Sequence, residues 1–328
     1  MIDFFGLILY PYGLAVAGAA VIALLLAVWS FRKARLDVNI LSWFAPLAIV
    51  LGFLGARVGF CLAAFDYVAQ DGLGFVLEFT RGGFMLYGTL AGCAAALAIA
   101  CRICKACPAC AADALAAPGR VMIALCRLAE GLVEQGYGWG IEDWFAADTS
   151  MSIFTWADPS VLYRFPFAVA DYYGGYKWAV FVFEALVAIG IAIALTRITV
   201  KRSGGRAVMM MLLYATTQLL CESLRQDSVL RWGFVRVNQV VGAVLIAGIL
   251  VLCFILTKNR NWCKFAISFV LMLVGMGLVM AMEFALEKKI SAIEFVPMDM
   301  CYLIMASGCA LMIGCIRPHW QRAFGKHA

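Results

Sequence analysis

Long apolar segments recur from one end of this 328-residue sequence to the other, and they constrain its fold more than any other feature. An α-helix needs about 20 mostly apolar residues to cross the hydrocarbon core of a bilayer. The segments that meet this need or approach it are residues 12–30, 40–65, 84–101, 121–134, 178–196, 207–224, 237–257, 265–285 and 301–316. The fourth is short, and we include it because polar residues along one face lower its hydropathy. The sequence therefore predicts an all-α, polytopic helical membrane protein with about nine transmembrane helices.

Composition and charge agree with this prediction. The chain is 65% apolar and only 14% charged, which is more apolar than a soluble core of this length requires. No basic region precedes the first apolar segment, so we expect no cleavable signal peptide. The positive residues are spread over several loops and form no patch, so we expect no nucleic-acid partner.

The distribution of Lys and Arg predicts the orientation. With the N-terminus outside, the inner loops and tail contain about twice as many of these residues as the outer loops do. This count places Arg120 in an inner loop and Arg81 in an outer one. It predicts a multi-pass protein with its N-terminus outside and its C-terminus inside.

The loops and the C-terminal region suggest how the chain is divided. The longest outer segment, residues 135–177, is rich in aromatic and acidic residues, and aromatic side chains favour the membrane interface. We interpret it as a small extracytoplasmic head. We expect residues 1–257 to form a seven-helix membrane domain that includes this head. Residues 258–328 would add two helices and a basic cytoplasmic tail.

A polar stripe interrupts the fourth segment. Arg127, Glu130 and Glu134 are separated by helical steps of three and four residues, so one face of one helix should present all three. A charge at mid-membrane costs at least roughly 2.5–3.5 kcal/mol unless it faces a partner or a wet cavity. One interpretation is a functional site, and the other is that Arg127 and Glu130 only neutralise each other.

Other segments bring further polar groups toward the outer half of the membrane. Arg57 follows two small residues in the second segment, and Tyr87 and Gly88 lie near the start of the third. The sixth segment carries a second stripe, formed by Tyr214, Gln218, Glu222 and Arg225. Arginine holds phosphate oxygens in two-point contacts, so several arginines beside lipid favour a lipid headgroup as ligand. For single residues a simpler interpretation stays open: Arg225 reaches toward the interface, and Tyr12 and Tyr87 serve in packing.

Four cysteines are spaced three residues apart after the third segment: Cys101, Cys104, Cys107 and Cys110. Zinc sites usually combine two pairs that are well separated in sequence. A thiol-rich helix end is therefore favoured over a metal site, which stays an alternative.

Several of these motifs resemble those of the bacterial prolipoprotein diacylglyceryl transferase family, from about Tyr10 to Gly242. The matching segments are YPYGLAVAG with Tyr12, GAR with Arg57, GGFMLYGTLAG with Tyr87 and Gly88, CRLAEGL with Arg127, and YATTQLLCESLRQD with Tyr214, Glu222 and Arg225. Glu184 resembles a family glutamate in the fifth segment. The resemblance implies the bacterial cytoplasmic membrane as the location.

Departures from the family pattern fall on the motifs themselves. Tyr87 stands where the family has a histidine, Glu130 stands where it has an asparagine, and Gln218 stands where it has an arginine. Losing a cation at Gln218 and gaining an anion at Glu130 should both weaken anion binding unless another residue compensates.

The resemblance implies a reaction and its participants. The diacylglyceryl group of phosphatidylglycerol, a membrane lipid, moves to the lipobox cysteine of a preprolipoprotein signal peptide, and glycerol phosphate leaves. We expect Arg127 and Arg225 to bind the phosphate with support from Arg57. Tyr87, aided by Glu130, would orient or deprotonate the thiol. The further substrate-binding residues would be Tyr12, Gly88, Tyr214, Gln218 and Glu222, and no metal or other cofactor is expected.

Two alternatives stay open at this stage. The first is a divergent paralogue on the same fold that acts on another lipid or acceptor or is catalytically inactive, which Gln218, Glu130 and Gln135 favour. The second is a membrane transporter, which membrane-centred charges would suit, although no internal repeat indicates inverted halves.

Overall fold

A computed structural model describes residues 2–4, 7–79, 82–145, 159–172, 174–227, 230–232, 235–289, 293 and 295–325. This part of the chain contains nine helices that are long and apolar enough to cross a membrane. They are α1 (Pro11–Lys33), α2 (Asn39–Ala63), α4 (Leu86–Ile103), α5 (Pro108–Glu130), α8 (Val180–Arg197), α9 (Gly205–Leu224), α10 (Val237–Leu256), α11 (Trp262–Leu286) and α12 (Met298–Phe324). The predicted all-α membrane fold is confirmed.

The remaining elements are short and lie before or between these helices. They comprise α3 (Phe65–Asp71), α6 (Ile141–Phe145), α7 (Pro159–Leu162), and 3-10 turns at Leu73–Leu77 and Gly131–Val133. Three antiparallel hairpins pair β1 (Ile2–Phe4) with β2 (Leu7–Leu9), β3 (Ala168–Ala170) with β4 (Tyr176–Trp178), and β5 (Arg231–Trp232) with β6 (Val235–Arg236).

Small residues allow α2 and α4 to pack backbone against backbone. A Cβ atom added at Gly88 would overlap the carbonyl of Gly55, and one added at Gly92 would overlap the carbonyl of Leu51. Close approach of this kind is how small residues join membrane helices, where hydrophobic burial does not distinguish a neighbouring helix from lipid. It fixes Tyr87, in the first turn of α4, relative to α2.

The fourth membrane helix begins much earlier than residue 121, so the predicted start was wrong. Helix α5 starts at Pro108, a favourable first-turn position for proline, and continues through an alanine-rich segment with high helix propensity. Asp113, Pro118 and Arg120 depress the hydropathy of this part, which concealed it. Arg120 is therefore buried inside a membrane-spanning helix, and its predicted place in an inner loop was also wrong.

Helix α5 also ends earlier than the polar stripe implied. After Glu130 the backbone tightens into a 3-10 turn, and Glu134 adopts a left-handed conformation with φ of 55° and is exposed. Glu134 therefore does not share the helical face of Arg127 and Glu130.

The last two helices join the core of α8, α9 and α10. Met272 and Val279 of α11, and Met305 and Met312 of α12, belong to the largest buried apolar cluster. Helix α12 extends to Phe324, and His319 is buried within it and hydrogen-bonds Ser268 at 2.9 Å, so the predicted tail is largely helical. Residues 326–328 of that tail lie outside the described part, as does Arg81. The division at residue 257 stays a prediction.

The segment predicted as the head is pinned to the C-terminal end of α9. The amide of Gln226 donates to the carbonyl of Tyr137 at 3.0 Å, and Gly138 forms a β-bridge with Arg225. Residues 146–158 of the predicted head lie outside the described part. The pinned segment places backbone directly beside the end of the sixth membrane helix.

Candidate active site

Two arginines and two glutamates from three helices meet in one buried cluster. Nη1 of Arg127 lies 2.6 Å from Oε1 of Glu130, and Nε of Arg127 lies 3.1 Å from Oε2 of Glu184. Nη1 of Arg225 lies 3.1 Å from the same Glu184 oxygen and 3.0 Å from Oε2 of Glu130. The side chains are 3–13% exposed, so the charges are almost entirely removed from lipid and water.

The ends of helices position these arginines. Arg127 lies in the last turn of α5, and Arg225 directly follows the last residue of α9. The carbonyl end of a helix carries partial negative charge, which favours a cation there. Two helix ends therefore offer their cations to the same place, and Glu184 of α8 joins them.

Asp227 extends the cluster toward the head. Nε and Nη2 of Arg225 each lie 2.9 Å from a different carboxylate oxygen of Asp227, a two-point contact. The Gly136 amide donates to the same carboxylate at 2.8 Å. Burial pushes the pKa of Asp227 upward, but the hydrogen bonds and charge of Arg225, with the Gly136 amide, outweigh it and hold the pKa below its ordinary value. We call Arg127, Glu130, Glu184, Arg225 and Asp227 the arginine cluster.

The predicted stripe on α9 continues the network inward. The side-chain amide of Gln218 donates to Glu184 at 3.4 Å and to Glu222 at 3.3 Å. Asn238 at the start of α10 donates to the other oxygen of Glu222 at 3.1 Å. The helical spacing predicted that these residues share one face of α9, and the structure shows in addition that they join α9 to α8 and α10.

Two tyrosines and a third arginine lie close to the arginine cluster. The rings of Tyr87 and Tyr214 meet edge to face with centroids 5.4 Å apart, and the guanidinium of Arg120 lies 5.2 Å from the centre of the Tyr214 ring. The Tyr87 hydroxyl is buried and has no hydrogen-bond partner among the described residues. A buried hydroxyl without a partner is costly, and such groups in proteins often serve a ligand.

A small cavity of about 10 Å³ is lined both by residues of the arginine cluster and by Arg120 and Tyr214. The residues that line it come from α5, α8 and α9: Arg120, Ile123, Arg127, Glu184, Val187, Tyr214, Thr217, Gln218 and Cys221. This volume is roughly what one water molecule requires. A lipid headgroup would therefore enter only if the surrounding side chains move apart.

The geometry has a defined chemical capacity. The guanidinium fork pairs with carboxylates and with phosphates through the same two-point contacts. In the cluster, carboxylates occupy those contacts and hold both arginines in place. A phosphate could exchange with them, so the cluster suits a phosphate ester beside the membrane.

The region of the sequence that contains these site residues matches a model of a known protein family. A family model described as prolipoprotein diacylglyceryl transferase matches residues 1–255. The chain belongs to the prolipoprotein diacylglyceryl transferase family. This membership confirms the predicted resemblance and the prediction of a transferase.

Bacterial members of the transferase family give pairwise matches of moderate identity. All three relatives named here are called phosphatidylglycerol–prolipoprotein diacylglyceryl transferase. That of Listeria innocua is 28% identical over 72% of this chain and 81% of its own length. That of Finegoldia magna is 28% identical over 75% of this chain and 91% of its own length. That of Pediococcus pentosaceus is 26% identical over 74% of this chain and 84% of its own length.

The structure brings most of the residues predicted for the transferase site together. Arg127, Glu130 and Arg225 form the arginine cluster, and Gln218 and Glu222 continue it. Tyr87 and Tyr214 lie beneath it. Tyr12, in the first turn of α1, is half-buried, and the charges of Glu130, Arg127 and Arg225 act on its hydroxyl.

Two predicted substrate-binding residues of the transferase lie elsewhere. Arg57 is fully buried, and its guanidinium donates to the backbone carbonyls of Phe75, Val76, Glu78, Gly82 and Gly83. Gly88 packs against α2. These contacts favour a role in holding the segment between α2 and α4, and direct contact with substrate stays a prediction for both.

The sequence did not predict site roles for Arg120, Glu184 or Asp227. Glu184 is a single carboxylate in an otherwise apolar segment, which is a usable signal. Asp227 follows Arg225 by two residues, but a short loop does not reveal a two-point contact. A site role for Arg120 could have been predicted only if the start of α5 had been placed correctly at Pro108.

Proposed function

We propose that this protein transfers the diacylglyceryl group of phosphatidylglycerol to the lipobox cysteine of preprolipoproteins. Family membership and the names of the relatives support the reaction. The observation that carries it to this chain is the convergence of Arg127 and Arg225 from the ends of two membrane helices. That pair is suited to the phosphodiester of the lipid and to the charge that grows on its leaving group.

The chemistry assigns a task to each part of the site. The cysteine thiolate attacks the diacylglyceryl carbon that carries the phosphate, a C–S bond forms, and the C–O bond to the phosphate breaks. Glycerol phosphate leaves with the bonding electrons. Arg127 and Arg225 stabilise this leaving group, because both charges lie where its negative charge develops.

The thiol must lose its proton before or during the attack. Glu130 is the proposed acceptor, since it lies within the cluster and is the carboxylate nearest to Arg127. Tyr87, whose hydroxyl has no partner among the described residues, would orient the incoming sulfur. Tyr12, Tyr214, Gln218 and Glu222 would line the lipid side of the site, and Arg57 and Gly88 would support its wall.

The proposed location is the outer face of the bacterial cytoplasmic membrane, with the N-terminus outside and the C-terminus inside. The Lys and Arg distribution supports this orientation. The arginine cluster then lies near the outer surface, at the ends of α5 and α9, where a translocated signal peptide and the outer leaflet are both within reach.

Replacing Arg127 tests the proposal. Purified protein in phosphatidylglycerol liposomes is mixed with a lipobox peptide, and the peptide is examined by mass for a diacylglyceryl thioether. We expect Arg127→Ala to lower the rate at least a hundred-fold, the scale of losing about 2.7 kcal/mol of transition-state stabilisation. Arg197→Gln, at the exposed inner end of α8, is the control and should match wild type. A folded Arg127→Ala protein with full activity would refute the assignment.

One observation favours the paralogue as a second candidate. Glu130 contacts both arginines, and the cluster contains two arginines for three carboxylates. If these carboxylates exclude phosphate, the protein acts on another ligand or is inactive. Glu130→Gln separates the candidates: a transferase that uses Glu130 as a base should bind phosphatidylglycerol more tightly and turn over more slowly. A protein silent only because of Glu130 should gain activity. Glu134→Gln, exposed nearby, is the matched control.

A further inference from the structure

Arg120 is a buried cation whose hydrogen-bonding capacity is largely unused. The residue is 2% exposed, and its Nε and Nη1 atoms have no hydrogen-bond partner in the part of the chain that the structure describes. Its guanidinium lies over the face of the Tyr214 ring. A guanidinium carries five donors and stays protonated in proteins, so leaving it unpaired in a membrane helix is costly.

The position of Arg120 relative to the arginine cluster is defined by the helix. Seven residues separate Arg120 from Arg127, which is almost two turns, so the two side chains project from the same face of α5. Their Cα atoms are about 10 Å apart along the helix axis. Arg120 and Arg127 line the same cavity. A ligand that enters between α5 and α9 would meet Arg127 first and Arg120 deeper.

Among the described residues, the wall opposite α5 contributes no cation to the cavity. The residues that line this wall carry no positive charge: α9 contributes Tyr214, Thr217, Gln218 and Cys221, and α8 contributes Glu184 and Val187. Gln218 stands seven residues before Arg225, as Arg120 stands before Arg127. The described residues thus place two arginines, Arg127 and Arg225, in the arginine cluster and one, Arg120, deeper along α5.

We propose that Arg120 is a third phosphate-binding arginine, and that it contacts a non-bridging oxygen of the phosphodiester of the lipid donor. This inference rests on the proposed function, because it takes phosphatidylglycerol as the donor. Its geometric support is the partly unpaired guanidinium, which lines the cavity and is held there by the face of the Tyr214 ring beside it. Arg127 and Arg225 hold the phosphate from the outer side, and Arg120 holds it from within.

Lipid retention tests the proposal without any transfer reaction. The wild-type protein and Arg120→Gln are purified from vesicles with equal parts phosphatidylglycerol and phosphatidylethanolamine, and the bound lipid is counted by native mass spectrometry. We expect Arg120→Gln to retain about ten-fold less phosphatidylglycerol, the scale of one charge-assisted hydrogen bond. In the transfer assay, KM for the lipid should rise by a similar factor with little change in kcat. Arg197→Gln should behave as wild type.

Two further variants keep the test decisive if Arg120→Gln folds poorly. Arg120→Lys keeps the charge but loses the fork, so retention should be intermediate. Arg120→Gln combined with Gln218→Arg moves the cation to the opposite wall at the same depth, and retention should recover. A folded double variant that does not retain phosphatidylglycerol would overturn the proposal.

Other outcomes would also overturn it, and each is distinct from failure of the transferase. Diacylglycerol has the acyl chains of the lipid donor but no phosphate, so it is the control ligand. If Arg120→Gln loses as much bound diacylglycerol as phosphatidylglycerol, the substitution has damaged the surface that binds the acyl chains. Free phosphate is a second source of the same chemistry. Arg120-dependent stabilisation by millimolar inorganic phosphate, without Arg120-dependent lipid retention, would assign the site to the free anion. Wild-type protein that retains phosphatidylglycerol through Arg120 but yields no thioether would refute the transferase alone.

Discussion

Individual side chains in this protein derive their roles from partners that are distant in sequence. Arg127 and Glu130 could be placed on one helical face from their spacing alone, and the structure agrees. Their third partner, Glu184, comes from another helix, and the spacing within one helix does not determine which helix faces it. The pairing of Arg127 with Glu130 within α5 was therefore predictable, whereas the pairing of Arg127 with Glu184 was not.

Asp227 yields a prediction on pH at the scale of the residue. Asp227→Asn should lower stability at pH 7 by about 1 kcal/mol, a charge-assisted contact discounted for partial exposure. Because the folded-state pKa lies below the ordinary 3.8, the stabilisation is present above that pH and is lost as the pH falls through the folded-state pKa. Melting temperatures in detergent from pH 7 to below pH 3 should show the wild type and variant converging in acid. A constant difference throughout would contradict the account.

At the scale of the helices, hydropathy predicted most of the membrane segments but missed part of one of them. The apolar segments gave the number of helices and most of their ends, because length and hydropathy determine what crosses a bilayer. The same criterion missed the first half of α5, where helix propensity and tertiary packing compensate for Asp113, Pro118 and Arg120. Polar residues in a membrane helix thus concealed the segment that carries the third arginine.

The glycine contact between α2 and α4 yields a prediction at this scale. Gly92→Ala should force the two helices apart, since its Cβ would overlap the Leu51 carbonyl, at a cost of roughly 1–3 kcal/mol. Gly248→Ala, in α10, is the matched control, because no atom lies within 4 Å of the added Cβ. Thermal unfolding in detergent should show a lower melting temperature only for the first. Equal melting temperatures would mean that the helices are not in close contact.

At the scale of the whole molecule, helix α11 near the C-terminus is tied to the candidate active site. Arg236, which is 1% exposed, pairs with Glu283 of α11 at 2.8 Å and donates to the backbone carbonyls of Glu222 and Arg225. Helix α11 thereby holds Arg236, the residue that braces the C-terminal end of α9. The family match ends at residue 255, so this brace lies partly outside the shared region.

Removing the brace should weaken both stability and activity. Glu283→Ala removes the carboxylate that neutralises buried Arg236, which costs roughly 3–5 kcal/mol, and it should also slow transfer because Arg225 loses its position. Glu287→Ala removes a more exposed pair with Arg231, and should cost about 1 kcal/mol or less. Melting temperature and transfer rate are measured for both variants. If the two behave alike, α11 does not support the site.

The central claim concerns the donor and the bond that breaks, and one measurement tests it most directly. Wild-type protein is placed in liposomes with phosphatidylglycerol labelled in its headgroup, together with a lipobox peptide, and thioether product and released glycerol phosphate are counted in the same sample. The account predicts one glycerol phosphate for each diacylglyceryl thioether, and neither product when phosphatidylethanolamine replaces phosphatidylglycerol. Folded protein that forms no thioether, or forms it without releasing glycerol phosphate, would contradict the account.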